Sequence, residues 1–251
     1  MIALSLIGIG TGNPDHVTRQ AVDEINAVDV ILIPRKGPEK DGLAHLRREI
    51  CARVLRGPGP ALREFDLPRR DGSGDYRAGV DAWHDAIAEV WAAELAAALP
   101  RGGRAGFLVW GDPALYDSSL RIAERLRARM RLEVRVIPGI TAIAALTAGH
   151  AIPLNTIAAP VTITTGRRLR AAGWPPGSDT LVVMLDGSNA FQHIDSEGIS
   201  IWWSGYAGMA EELRIAGPLA EVASEIVAAR ALARARHGWI MDIYLLRRDC
   251  D

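Results

Sequence analysis

Apolar residues in this chain fall into short unbroken runs separated by longer stripes at helical spacing. Phe107 to Trp110 and Thr180 to Leu185 read as buried strands, Ile2 to Ile9 and Asp29 to Pro34 as further strands, and Glu133 to Ile137, which carries Glu133 and Arg135, as another. Ala21, Val22, Ile25 and Val28 recur at helical spacing after Thr18, a residue able to cap a helix. Leu43 to Leu55 can form a helix, and Arg77 to Leu99 is amphipathic, with Val80, Trp83, Ile87, Val90, Trp91 and Leu95 near one face. Those tryptophans therefore read as core. Leu120 to Arg131 follows Ser118 and Ser119, either of which can cap it, and Ile143, Leu146 and Gly149 continue a further helical pattern. Strands alternating with helices predict an α/β fold with a parallel sheet.

The pattern changes between Ala151 and Pro160, where Pro153 and Pro160 bracket a linker. The expected division is an N-terminal α/β domain with a parallel sheet over 1–154 and a C-terminal α/β domain with a mixed sheet over 155–251. In the second half, Val161 to Thr165 alternates as a strand running into Gly166-Arg167-Arg168, and Trp174 to Gly177 is a turn. Ile199 to Trp203 is a strand, Ser204 to Gly217 a glycine-punctuated loop with a short helical piece, and Leu219 to Ala235 a helix; Trp239 to Leu246 closes the sheet. Arg56 to Gly74, rich in Gly, Pro, Arg and Asp, reads as a long surface segment of the kind used for lids or mobile connections.

Composition narrows the function classes. Of 251 residues 49% are hydrophobic, enough for a substantial core, and a formal net charge of -1 argues against a nucleic-acid binder. The 29 basic residues include two lysines, Lys36 and Lys40, which leaves 27 arginines. Arginine forks suit carboxylates and phosphates. Cys51 and Cys250 are far apart and read as reduced thiols of a cytoplasmic protein, and the six histidines show no metal-ligand spacing, so no bound metal is expected. The apolar N-terminus is too short to span a membrane and lacks a basic flank, so it is read as a strand.

Candidate chemistry lies where strands end. In GFLVWGDPALYDSS, Gly111 permits positive φ and Pro113 fixes its own, so the strand stops in a tight turn at the carboxyl edge of the sheet, where open α/β sheets bind ligands. Pro138-Gly139 makes a similar exit, with Thr141 at the next helix start. The opening GIGTGNPDHVT is close to a dinucleotide fingerprint but departs from it. Its last glycine, Gly12, comes one position early, Asn13 stands where the third glycine belongs, and Pro34-Arg35-Lys36 replaces the acidic residue that binds a ribose hydroxyl.

Taken in order, GIGTGNPDHVT, WGDPALY, VIPGITAIAALTAGHAIPL and TLVVML resemble the tetrapyrrole (corrin and uroporphyrinogen) methyltransferases over essentially the whole chain. LVWGDPALYDSSLRI, PVTITTGRR, VVMLDG and RARHGWIMDIYLLR resemble the branch that methylates precorrin-5 at ring position one and releases the acetyl group as acetate. The resemblance implies S-adenosylmethionine bound in a ligand cleft between two α/β domains, and a homodimer. It puts the methyl donor on Trp110, Gly111, Asp112, Leu115, Thr141 and Ala142, then on Met184 or Leu185, and on Ala207. Thr11 stands where the family commonly has proline. Methyl transfer then asks mainly for positioning, whereas deacetylation needs water activated near the acetyl carbonyl. Candidates for that step are His16, Asp15, Tyr116, Asp117 and Asp186. Arg167 and Arg168 are candidates for the substrate's carboxylates, with Asp186 beside them. Two alternatives stay open: another tetrapyrrole methyltransferase of the superfamily, and a noncatalytic tetrapyrrole or S-adenosylmethionine carrier.

Overall fold

A computed structural model describes residues 1–35, 41–70, 73 and 75–248. Lys36, Lys40 and Cys250 lie outside the described residues. Two compact units divide the chain, Met1–Thr141 and Ala142–Asp251. The division falls ahead of the expected one at 154 because the helix Ala142–His150 packs on strands of the second unit.

The first unit runs β1 (Ile2–Gly8), α1 (Arg19–Ala27), β2 (Val30–Arg35), α2 (Asp41–Val54), β3 (Ala61–Asp66), α3 (Tyr76–Ala98), β4 (Gly103–Val109), α4 (Ser119–Arg127) and β5 (Leu132–Ile137). Its five strands are parallel in the order β3-β2-β4-β1-β5. The chain steps from β1 to β2 and β3 with helices on one face, then reverses through β4 to β5 with helices on the other, as right-handed crossovers require. Residues Ala21 and Ile25 of α1 and Ala44, Ile50 and Cys51 of α2 therefore bury one face. Ile87 and Trp91 of α3 and Ile122 and Leu126 of α4 bury the opposite face, with the Trp91 ring stacked 3.8 Å from that of Phe107. Both faces are covered, which is why β1, β2 and β4 read as continuous apolar runs.

Local chemistry sets the helix starts. The Thr18 hydroxyl accepts from Ala21 N at 3.1 Å, as its position suggests. For α4 the expected serine cap is not the one used: Asp117 Oδ1 accepts from Ser119 N at 2.6 Å, and Ser118 makes no side-chain cap. A carboxylate at that helix start also meets the positive end of the helix dipole.

The Arg56 to Gly74 segment corrects one expectation, because its middle is strand β3 and not irregular chain. Among its side chains Phe65 is the one buried, edge-on to Phe107 at 6.1 Å, while Arg63 pairs with Glu94 and Asp66 with Arg35. An edge strand with one partner tolerates such polarity.

The second unit runs α5 (Ala142–His150), β6 (Val161–Thr165), α6 (Gly166–Ala172), β7 (Thr180–Met184), β8 (Ile199–Gly205), β9 (Leu213–Pro218), α7 (Leu219–His237) and β10 (Asp242–Arg248). The sheet order is β6-β7-β10-β8-β9; β6 and β7 are parallel and the remaining pairings antiparallel. Three readings change here. The end of the expected Ser204 to Gly217 loop is strand β9, and Gly166-Arg167-Arg168 is not a strand end but the first turn of α6, capped by the Thr165 hydroxyl on Arg168 N. The last strand does not close an edge; it fills the middle of the sheet.

Candidate active site

Three strand exits of the first unit meet backbone to backbone. Beyond the last paired residues of β1 and β4, Ile9 N donates to Val109 O at 2.9 Å, Gly111 N to Gly10 O at 2.7 Å and Gly10 N to Gly111 O at 3.3 Å. Gly10 and Gly111 have φ of 75° and 67°, a region glycine enters without a Cβ penalty. Gly139, after β5, lies so close that a Cβ on it would come 2.0 Å from Gly111 O. Asp112 ties these exits together: Oδ2 accepts from Gly139 N at 2.9 Å, and Oδ1 accepts from Ala114 N within its own turn at 2.8 Å. On the outer side a Cβ added to Gly111 would meet nothing within 4 Å, so a ligand can lie against bare backbone there.

Sequence-predicted residues surround this junction. Thr11 is buried and its Oγ1 lies 2.9 Å from His16 Nδ1, which holds the half-buried imidazole against the Gly10 turn. Asp15 points away, exposed and paired with Arg53 at 3.3 Å. Trp110 and Leu115 are half-buried, and Leu115 N donates to Asp112 O at 3.2 Å. Tyr116 is 44% exposed with φ of 49°, and partial burial pushes its phenol pKa up. Asp117 is engaged at the start of α4, and Thr141 and Ala142 are half-buried at the start of α5.

In the second unit, Met184 is half-buried at the end of β7. Leu185 follows with φ of 53° and 66% exposure, and Tyr206 takes φ of 53° just after β8, beside buried Ala207. A left-handed leucine or tyrosine costs about 1–2 kcal/mol, and such strain concentrates at functional sites. Tyr116 and Leu185 lie within the WGDPALY and TLVVML motifs, whereas no motif of the sequence marks Tyr206.

Asp186 has a different task from the one expected. Its Oδ1 accepts from Ser188 N at 2.9 Å and Ser188 Oγ at 3.2 Å, and its Oδ2 from Ala190 N at 2.6 Å and Tyr244 Oη at 2.7 Å. With that shell filled and the residue buried, its carboxylate organises the β7 exit and is not a substrate contact or a base. Burial next to that carboxylate drives the Tyr244 phenol pKa strongly upward, so it remains a donor. Gly166 is required beneath it, since a Cβ there would come 2.3 Å from the Asp186 carboxyl carbon. Arg167 and Arg168 are exposed on α6.

The sequence reading missed Arg47. It projects from α2, donates from Nε to Leu108 O at 2.8 Å and from Nη1 to Leu43 O at 3.0 Å, and is half-buried. Its signal was its position, three residues after Ala44 and three before Ile50 on the buried face of α2.

Removing the Asp112 carboxylate cuts the tie between the β4 and β5 exits. Asp112→Ala is expected to weaken binding of S-adenosylhomocysteine about tenfold or more, from loss of hydrogen bonds worth roughly 1–3 kcal/mol. Titration calorimetry measures it, and wild-type affinity in the variant would remove Asp112 from the donor site.

Residues 3–235 match the family model of Tetrapyrrole (Corrin/Porphyrin) Methylases. A precorrin-6A synthase [deacetylating] of Sinorhizobium sp is 48% identical, over 100% of this chain and 97% of its own. A crystal structure of a cobalamin-synthesis-related protein from Corynebacterium diphtheriae superposes with a TM-score of 0.83 at 35% identity, over 99% of both chains. The uroporphyrin-III C-methyltransferase of Thermus thermophilus, solved with S-adenosylhomocysteine, shares the fold at a TM-score of 0.60 and 18% identity, over 98% of this chain and 92% of that one. The chain therefore belongs to the tetrapyrrole (corrin/porphyrin) methylase family.

Proposed function

We infer that the chain is an S-adenosylmethionine-dependent C-methyltransferase of cobalamin biosynthesis, which methylates precorrin-5 at ring position one and releases acetate to give precorrin-6A. The observation that carries this reading is 48% identity to a precorrin-6A synthase across the whole chain. The open space over Gly111 and the bare backbone of its turn suit a flat, polar donor. The donor contacts we assign are Trp110, Gly111, Asp112, Leu115 and Thr141 in the first unit and Ala142, Met184, Leu185 and Ala207 in the second; Thr11 contributes by setting His16.

The bound donor supplies an activated sulfonium methyl group, and the nucleophile is an electron-rich carbon of the macrocycle. What this chain adds to that step is orientation, worth up to roughly 7–11 kcal/mol in well-aligned systems, and exclusion of water. Loss of the acetyl group consumes one water and gives acetate, so it needs a proton acceptor. His16 is our choice. With Nδ1–H donating to the Thr11 hydroxyl oxygen, Nε2 keeps its lone pair and can take a proton from water. Tyr116 Oη is the matching donor toward the acetyl carbonyl oxygen. Asp15, in its ion pair, and Asp117, in its cap, are committed elsewhere. Arg167 and Arg168 present exposed guanidinium groups to peripheral carboxylates.

The reading carries with it a cytoplasmic location and a homodimer. No helix among the described residues is long and apolar enough to cross a membrane. Buried Cys51, its thiol pKa pushed up to about 11 by desolvation, is kept from oxidation. Sedimentation of the purified protein tests the dimer.

Anaerobic incubation with precorrin-5 and S-adenosylmethionine tests the reaction. The expected product has gained one methyl group and lost the acetyl group, with free acetate. Methyl gain without acetate would move the enzyme to another member of the family, and donor binding without turnover of any precorrin would make the chain a carrier.

A further inference from the structure

Strands β2 and β4 are neighbours, yet their pairing stops at Leu32 and Phe107 although both continue toward the carboxyl edge. The helix leaving β2 covers one face of the sheet and the helix leaving β4 covers the other. Adjacent parallel strands whose following helices take opposite faces mark the place where α/β sheets take ligands. On its other side β4 stays paired with β1 out to Gly8 and Val109 and is zipped further by the Gly10–Gly111 bonds.

Arg47 reaches the carboxyl end of β4 there, at Leu108, one residue past the last β2–β4 pair. Its Nε–H satisfies Leu108 O, and one Nη1–H satisfies Leu43 O. Three guanidinium N–H groups are left, and Arg47 makes no ion pair among the described residues. Other arginines of this unit, such as Arg35, Arg48, Arg63, Arg104 and Arg125, each hold a carboxylate. Desolvation lowers the Arg47 pKa to about 10 despite the charge of Asp117, which belongs to the exit loop of β4. A cation removed from water without a counter-ion is costly unless an anion completes it.

We propose that Arg47 is a substrate-binding residue whose guanidinium, fixed on the carbonyls of Leu43 and Leu108 where the β2–β4 pairing ends, grips a peripheral carboxylate of the tetrapyrrole. The proposal deepens the assignment above and rests on it for the identity of the ligand. The two backbone bonds orient the fork before substrate arrives, so little side-chain freedom is lost on binding.

The test uses Arg47→Gln and Arg47→Lys in the full chain. One readout is KM for precorrin-5. A second, independent of turnover, is quenching of the fluorescence of uroporphyrin, a stable tetrapyrrole polycarboxylate, titrated at low and high salt. Melting temperature and S-adenosylhomocysteine affinity report folding and the donor site. Arg47→Gln is expected to raise KM and the uroporphyrin Kd about tenfold to a hundredfold, as loss of a charge-assisted bond requires, to flatten the salt dependence, and to leave donor affinity unchanged. Arg47→Lys keeps the charge and loses the fork, so a smaller loss is expected; it serves alone if the glutamine variant does not fold. Uroporphyrin binding equal to wild type in a folded variant overturns the proposal. So does a proportionate fall in porphyrin binding, donor affinity and melting temperature, which would mark Arg47 as a support for β4. If wild type binds uroporphyrin but does not turn over precorrin-5, the assigned reaction fails while the binding series still decides Arg47.

Discussion

Asp186→Ala is expected to lower the unfolding free energy by about 3–5 kcal/mol, the largest stability effect of any single change considered. The carboxylate accepts from two backbone amides, a serine hydroxyl and the Tyr244 phenol, and no water replaces it easily at 5% exposure. Its loss leaves Tyr244 Oη and Ala190 N without their acceptor in the core, each orphan costing roughly 1–3 kcal/mol. The main-chain carbonyl of Asp186 keeps its bond from Arg230, so part of the β7 exit survives. Tyr244→Phe removes a donor instead of the shared acceptor and is expected to cost about 1 kcal/mol. Urea unfolding of both variants measures the difference, and a loss below that of Tyr244→Phe would show that Asp186 does not organise this exit.

Gly139→Ala is expected to disable donor binding. The added Cβ would meet Gly111 O at 2.0 Å and the Gly8 backbone within 3 Å, so no side-chain rotation relieves it and a turn must shift. Overpacking of this kind costs about 1–3 kcal/mol, and strain released by displacing the Gly111 turn appears as a loss of S-adenosylhomocysteine affinity of about tenfold to a hundredfold. Gly111→Ala makes a useful contrast. Its Cβ would enter open space, and its cost comes from a left-handed φ alone, about 1–2 kcal/mol. Calorimetric titration of the two variants separates the effects; full donor affinity in Gly139→Ala would mean the exits are not packed as described.

Much of this was legible in the sequence because it depended on neighbours in the chain. Buried on both faces, β1, β2 and β4 showed themselves as apolar runs, and the turn at Gly111 was visible in the glycine and proline that make it. Of the four edge strands, β5 and β6 were read as strands and β3 and β9 were not. β3 and β9 each have one partner and expose most of their side chains, so Arg63 or Arg214 in them reads as loop. Arg167 and Arg168 were placed on a strand end because the capping role of Thr165, also the last residue of β6, has no separate signal. The site was read less completely than the fold. Asp186 depends on Tyr244, distant in sequence, so its closed shell could not be seen from the motif. Arg47 was hidden by its company: with Arg48 and Arg53 on the same helix, nothing in the sequence tells which arginine turns inward.

The place of β10 bears on how the second unit is made. β10 pairs with both β7 and β8, and it follows the other four strands of its sheet in the chain. Until it emerges, β6 with β7 and β8 with β9 are separate two-stranded ribbons, marginal in water. The first sheet, built entirely from residues before Thr141, is complete much earlier. A nascent chain on the ribosome therefore carries one finished sheet and two waiting ribbons, and β10 acts as the bolt that joins them.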